Sequence, residues 1–167
     1  MPDPALWPND VSLGAVRTHI EETKAAGGHG HCPACRRYFQ VYKRNINWTM
    51  TRALIWLVRN AGLDLIDPQW VNIQQGPEWL LRSKQLSTLK YWNLIEPMPN
   101  DDPTKKKSGV WRPTQLGVAF VTNELHVPKY VLTYDDVVEG VSPETVSVLD
   151  CLDKHFDYGK LLRGEME

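Results

Sequence analysis

The sequence predicts an α+β fold, and three observations carry that prediction. Residues 48–61 hold an amphipathic helical stripe, with Met50, Ala53, Leu54, Leu57, Val58 and Ala61 at i, i+3, i+4, i+7, i+8 and i+11. Short extended runs bounded by turn residues follow at "LIEPMP", "VWR" and 129–141. Among them stand helix-start residues, Pro77, Ser83 and Thr114, each ahead of spaced apolar side chains. At 167 residues the chain is about one domain long and carries enough apolar side chains for its own core.

Taken in order, residues 1–10 hold three prolines and two aspartates and read as an irregular arm. A first helix is expected from Val11 to Ala26. Asp10 or Ser12 can cap it, Leu13, Val16 and Ile20 share a face, and Gly27-Gly28 ends it. Residues 27–46 begin glycine-rich, pass through Cys-Pro-Ala-Cys and become aromatic and basic. Asn47 can cap the helix Trp48–Ala61 and Gly62 can close it, with Arg52 and Arg59 on the outer face. Pro77 opens a short helix to Leu81. Ser83 caps another, burying Leu86, Leu89 and Trp92 and leaving Lys84, Gln85, Thr88 and Tyr91 outward. Asn93 tolerates the left-handed conformation that ends it. Residues 100–109 are a turn with three consecutive lysines, and 110–112 are a returning strand. Thr114 caps a helix holding Leu116, Ala119 and Phe120. Strands at 129–134 and 137–141 turn through Asp135-Asp136. Ser142-Pro143 starts a last helix through Val146, Leu149 and Leu152 to about Phe156.

The middle of this series is helix, short helix, capped helix, strand, basic loop, strand, helix. That is the order of a winged helix-turn-helix, in which the third helix reads the groove and the hairpin loop is the wing. The expected organisation is an arm, helix and Cys-x-x-Cys segment over 1–46, then a winged-helix-like domain over 47–167 with a C-terminal hairpin and helix. "LSTLKYWNLIEP" resembles the passage from recognition helix to wing in MarR-type regulators, with Asn93 where those proteins usually have Gly. "VWRPTQLGVAF" resembles their strand-into-helix segment after the wing, with Thr114, Leu116 and Gly117 in the matching places. The wider series of CPxC, "YKR", a long helix, "LKYW-x-LIE", "SGVWR-x-T-x-x-G-x-x-FV" and "VPKYV" resembles uncharacterised small proteins of tailed bacteriophages over residues 31–158. That resemblance implies a phage protein working in the bacterial host cytoplasm and implies no activity.

Cys32 and Cys35 have the spacing that lets two thiolates hold one tetrahedral zinc from a tight turn. His29 and His31, just upstream, are the first choice for the other two ligands. Cys151 and His155, at i and i+4 on the last expected helix, are the alternative pair. A zinc closed by four side chains would be structural, making residues 27–46 a zinc knuckle. Redox chemistry is disfavoured because no hydrophobic strand leads into the Cys-x-x-Cys. Cys151 by itself reads as a small buried hydrophobe.

Residues 36–112 hold 13 Lys/Arg against 6 Asp/Glu, whereas residues 113–167 hold 4 against 10. That asymmetry suits an anionic partner on one face. Arg36, Arg37, Lys43 and Arg44 flank an aromatic run. Lys84 and Lys90 lie on the expected recognition helix, and Lys105, Lys106 and Lys107 on the expected wing. These cations suit phosphates, while Gln85, Thr88 and Tyr91 suit base edges. The expected partner is duplex DNA, with a host bacterial protein on the same scaffold as the alternative. Walker, GxSxG, HExxH and post-strand GxGxxG motifs are missing, so no enzymatic activity is expected. The longest apolar run, Ala53–Val58, is far short of the roughly 20 residues that span a bilayer, and no signal-peptide pattern opens the sequence. Three cysteines form no even disulfide framework, consistent with a reducing compartment.

Overall fold

A computed structural model describes residues 11–63, 66–104, 108–152, 154 and 156–166. The fold is mixed α+β. In chain order it contains α1 (Leu13–Ala25), β1 (His29–His31), β2 (Tyr38–Gln40), β3 (Tyr42–Asn45), α2 (Trp48–Ala61) and β4 (Val71–Asn72). A 3-10 turn at Ile73–Gln75, α3 (Glu78–Ser83) and a 3-10 helix at Leu86–Trp92 precede β5 (Ile95–Pro97) and β6 (Val110–Pro113). Then come α4 (Gln115–Val121), β7 (Val127–Pro128), β8 (Tyr130–Tyr134), β9 (Val137–Val141), β10 (Thr145–Val146), α5 (Val148–Cys151) and α6 (Tyr158–Arg163). No described helix is long and apolar enough to cross a membrane.

The chain divides into two compact units. The first joins the described residues up to Arg44 with Leu132–Gly140, and the second is the remainder. The N-terminal segment thus takes in a hairpin that sequence order assigns to the C-terminal domain. The reason is strand pairing, since β8 lies between β3 and β9 in one sheet.

In the first unit, Ser12 caps α1 by accepting from the Ala15 N–H at 3.2 Å. Val16 is buried, but Leu13 is 72% exposed, so the expected Leu13–Val16–Ile20 face holds only in part. Asp10, the other candidate cap, and the arm of residues 1–10 lie outside the described residues. β1 and β2 form an antiparallel hairpin with His31 opposite Tyr38 and Gly30 opposite Phe39. Asp135 and Asp136 both take positive φ and turn β8 tightly into β9. Lys24 is buried against Glu139 at 2.6 Å and Glu21 at 3.0 Å, with its ammonium 4.2 Å from the Tyr134 ring centre.

α2 is the axis of the second unit. Asn47 caps it by accepting from Met50 N–H at 3.0 Å, and Gly62 ends it at φ 87°. Its apolar stripe is buried, and so are Thr51, Ile55 and Trp56. α4, α6, β6 and the 3-10 helix pack around it. β4, β6 and β5 form a sheet in that order, with Val71 opposite Trp111 and Glu96 opposite Arg112.

Two expected helices are corrected. Ser83 caps nothing; its hydroxyl donates to the Leu80 carbonyl at 2.9 Å, and Lys84 at φ 53° closes α3. The segment that follows winds as a 3-10 helix, in which residues three apart eclipse. Ser142-Pro143 does not start the last helix, because Thr145–Val146 pair with Val127–Pro128 as a ribbon. α5 instead begins at Ser147, whose hydroxyl accepts from Asp150 N–H while the Asp150 carboxylate accepts from Ser147 N–H.

Candidate nucleic-acid and metal sites

The candidate reading face is built by α3, the turn at Lys84 and the 3-10 helix. Leu86, Leu89 and Trp92 are buried, and the Trp92 indole donates to the Pro128 carbonyl at 2.7 Å. This anchoring turns the remaining side chains outward. Lys84 is exposed, while Thr88, Lys90 and Tyr91 are half-buried. The Lys90 ammonium lies 4.8 Å from the Tyr91 ring centre. Gln85 is partly committed, because its carbonyl accepts from the Asn47 side-chain amide at 3.0 Å. Beside these residues lies a cavity of about 420 Å3 walled by Ile73, Leu80, Leu81, Leu86 and Trp111, with Lys84 at its rim. The expected wing cations Lys105, Lys106 and Lys107 lie outside the described residues. Arg112, next to Trp111, is held by Glu96 and Asp67 and stacks 4.4 Å from the Trp70 ring centre.

Arg36, Arg37, Lys43 and Arg44 belong to the first unit. Arg36, Arg37 and Lys43 are exposed. Arg44 is half-buried and donates to the Thr133 hydroxyl at 3.0 Å, so part of its charge serves the sheet.

The Cys-Pro-Ala-Cys segment is the tip of the β1–β2 hairpin. Cys32 N–H donates to the Arg37 carbonyl at 2.8 Å, extending the ladder one step past His31–Tyr38. Arg36 N–H donates back to the Cys32 carbonyl at 2.8 Å, and Arg36 takes φ 60°, the left-handed conformation that lets the turn close. The Cys32 sulfur lies inside this turn. Its pKa is lowered, chiefly because the Cys35 N–H donates to the sulfur, which outweighs burial; the Ala34 N–H and the Cys35 thiol add to the effect. Cys32 is half-buried and Cys35 exposed.

Strand alternation sends His29 and His31 to one face of β1, where both rings pack on Tyr38 at centroid distances of 6.0 and 5.3 Å. No group of three or more His, Cys, Asp or Glu able to hold a metal occurs among the described residues. Of the alternative pair, His155 lies outside the described residues, and Cys151 belongs to the second unit. Cys151 contacts the Thr51 hydroxyl, and burial pushes its thiol up to about 11.

One cluster escaped the sequence reading. Arg52, expected on a solvated helix face, lies 3.8 Å from the Trp79 ring centre and 5.3 Å from that of Phe156, which in turn stacks on Trp48. The only signal was the tryptophan count, seven in the chain. No protein family, curated protein or solved structure matches the chain.

Proposed function

We propose that the second unit is a winged helix that binds duplex DNA, as a phage-encoded regulator or accessory factor in the bacterial cytoplasm. The observation that carries this reading is the strand order β4-β6-β5, with α3 and the 3-10 helix inserted between β4 and β5. β4 ties the chain ahead of the helix pair to the strand after the hairpin loop, so the pair and the loop are held by one sheet. A groove reader and a wing need that mutual support. The 3-10 helix is seven residues long, about 14 Å at a rise of about 2 Å each. Its buried threefold stripe leaves Thr88 and Tyr91 for base edges and Lys84 and Lys90 for phosphates.

A second reading, an adaptor or inhibitor of a host bacterial protein, is favoured by the apolar cavity of about 420 Å3 beside the same helix. One experiment separates the two. The purified chain is titrated with random-sequence duplex at rising salt, with fluorescence anisotropy as the readout. DNA binding predicts association at about 50 mM salt that weakens steeply by about 200 mM. Changing Lys105, Lys106 and Lys107 together to Ala should then flatten the salt slope by up to about three phosphate equivalents. Absence of duplex binding at low salt, with one host protein recovered on affinity purification, overturns the DNA reading in favour of the adaptor.

A further inference from the structure

Another cavity, of about 350 Å3, opens in the first unit. Three tyrosines line it: Tyr38 at the start of β2, Tyr42 at the start of β3 and Tyr134 at the end of β8. Tyr38 and Tyr42 are each about half exposed. Arg37 and Asp135 are the charged residues of the lining, both exposed, and Gln40 joins them. Each ring is braced from within the chain. His31 packs edge-on against Tyr38 at 5.3 Å between ring centres. The Arg44 guanidinium, held by the Thr133 hydroxyl, lies 5.7 Å from the Tyr42 ring centre. The Lys24 ammonium, held by Glu139 and Glu21, lies 4.2 Å from the Tyr134 ring centre, and Phe39 meets the same ring edge-on. Rings fixed in this way lose little freedom when a ligand stacks on them.

The braces decide which ligand chemistry fits. A tyrosine ring attracts cations to its face, but the chain's own cations already stand at Tyr42 and Tyr134, and Arg37 lines the same cavity. A further cation is repelled there. A neutral π-system stacks on the rings without that penalty, and Arg37, with the exposed Arg36 next to it, favours a negative group attached to it. A base with its phosphate has both parts. Inside a duplex the two faces of a base are covered by its neighbours, so the ring must come from an unstacked strand. The polar lining suits base edges. Asp135 can accept from an exocyclic amino group. The Gln40 carbonyl accepts from the Tyr38 hydroxyl at 2.9 Å, which leaves the Gln40 amide N–H groups to donate to a base carbonyl.

We propose that this cavity takes an unstacked base of single-stranded nucleic acid, stacked on the tyrosine rings with its phosphate on Arg37. At about 350 Å3 it is at the small end of ligand cavities, the size for one base with its sugar. The proposal stands on residues of the first unit alone and is independent of the duplex reading, which uses the second.

The test titrates the full chain into labelled single-stranded DNA of about twelve nucleotides, and into RNA of the same sequence, with fluorescence anisotropy as the readout. At least one of the two strands is expected to bind at about 50 mM salt. Tyr42→Ala should weaken that binding about 5- to 150-fold, and Tyr42→Phe, which keeps the ring, should restore most of it. The triple change at Lys105, Lys106 and Lys107 acts on duplex binding instead, so this proposal and the duplex reading fail separately. In the unsubstituted chain, a strand carrying bromouracil should photo-cross-link to Tyr38, Tyr42 or Tyr134, a readout independent of how the variants fold. Five results would each overturn the proposal: no single-strand binding; binding that Tyr42→Ala leaves intact; cross-links confined to the second unit; displacement of the strand by tetramethylammonium beyond that by equal sodium; or a nucleoside monophosphate that binds where neither strand does.

Discussion

Gly117 is the third residue of α4, and replacing it by Ala sets two physical effects against each other. Helix propensity favours Ala over Gly by about 1 kcal/mol. Packing opposes it. A Cβ at Gly117 would overlap the Leu94 carbonyl oxygen and lie 3.0 Å from the Leu94 carbonyl carbon. Neither atom is the loose end of a side chain. Leu94 is fully buried just ahead of β5, and its carbonyl already accepts from Thr114 N–H at 3.0 Å. Thr114 is fixed in turn, donating to the Asn93 carbonyl at 2.6 Å and accepting from Gly117 N–H at 3.1 Å. Forcing a methyl into such a contact costs about 1–3 kcal/mol, and loosening the Thr114–Leu94 bond about 1 kcal/mol more. The packing terms win. Gly117→Ala should lower stability by about 1–3 kcal/mol, or about 4–8 °C in Tm for a 2 kcal/mol loss in a chain of this size. The control is Gly14→Ala in α1, where an added Cβ meets only the Ser12 hydroxyl at 3.7 Å. That change should gain about 0.4–1 kcal/mol. Urea and thermal unfolding followed by circular dichroism measure both. If Gly117→Ala proves as stable as the wild type or more so, the close approach of α4 to the end of the 3-10 helix is wrong.

Two further outcomes follow from the same structure. Leu89→Ala, at a fully buried site, should cost about 2–5 kcal/mol, whereas Thr88→Ala beside it should stay within about 0.5 kcal/mol; equal losses in urea titrations would mean the outward face is misassigned. Burial pulls the Lys24 pKa down, but hydrogen bonds to Glu139 and Glu21 and their charge outweigh it and leave the pKa above the usual 10.5. A raised pKa means the pair's contribution is complete below about 10.5 and is lost as pH rises through the folded value. Glu139→Gln should therefore remove about 1–3 kcal/mol at pH 7 and make the alkaline fall in stability shallower; an unchanged alkaline limb would exclude Lys24 as its source.

Much of this fold is legible in the sequence wherever one chain segment decides its own conformation. α2 with its Asn47 cap, α4 with Thr114, and the Asp135-Asp136 turn all follow from local chemistry. The threefold spacing of Leu86, Leu89 and Trp92 is itself a signal of this winding. A period of three is the 3-10 period, whereas an α-helical stripe would alternate three and four. β4 is different in kind. Val71-Asn72 is two residues with no pattern of its own, and it is a strand because Trp111 and Val110 lie beside it. β10 likewise exists through its pairing with β7, and that pairing pushes the helix start from Ser142 on to Ser147. Two-residue strands have no periodicity to read, so tertiary pairing alone defines them.

The candidate metal site divides along the same line. The Cys-x-x-Cys spacing is local, and the turn it implies is present, closed by Arg36 in the left-handed conformation where glycine is commoner. Ligand sets are not local. His31 is the neighbour of Cys32 in sequence, but β1 ends at His31 and Cys32 opens the turn, so the two belong to different local structures. His29 and His31 share a face with each other and with Tyr38, on whose ring both pack. Sequence distance measures reach only after the local period is known, 3.6 for a helix and 2 for a strand. The three cysteines then sort by environment. Cys151 packs against Thr51 with its thiol pushed up to about 11, while the Cys32 thiol is lowered at a hairpin tip beside the exposed Cys35. A low-pKa thiol with an exposed neighbour at an accessible turn is open to chemistry; a buried high-pKa thiol fills space.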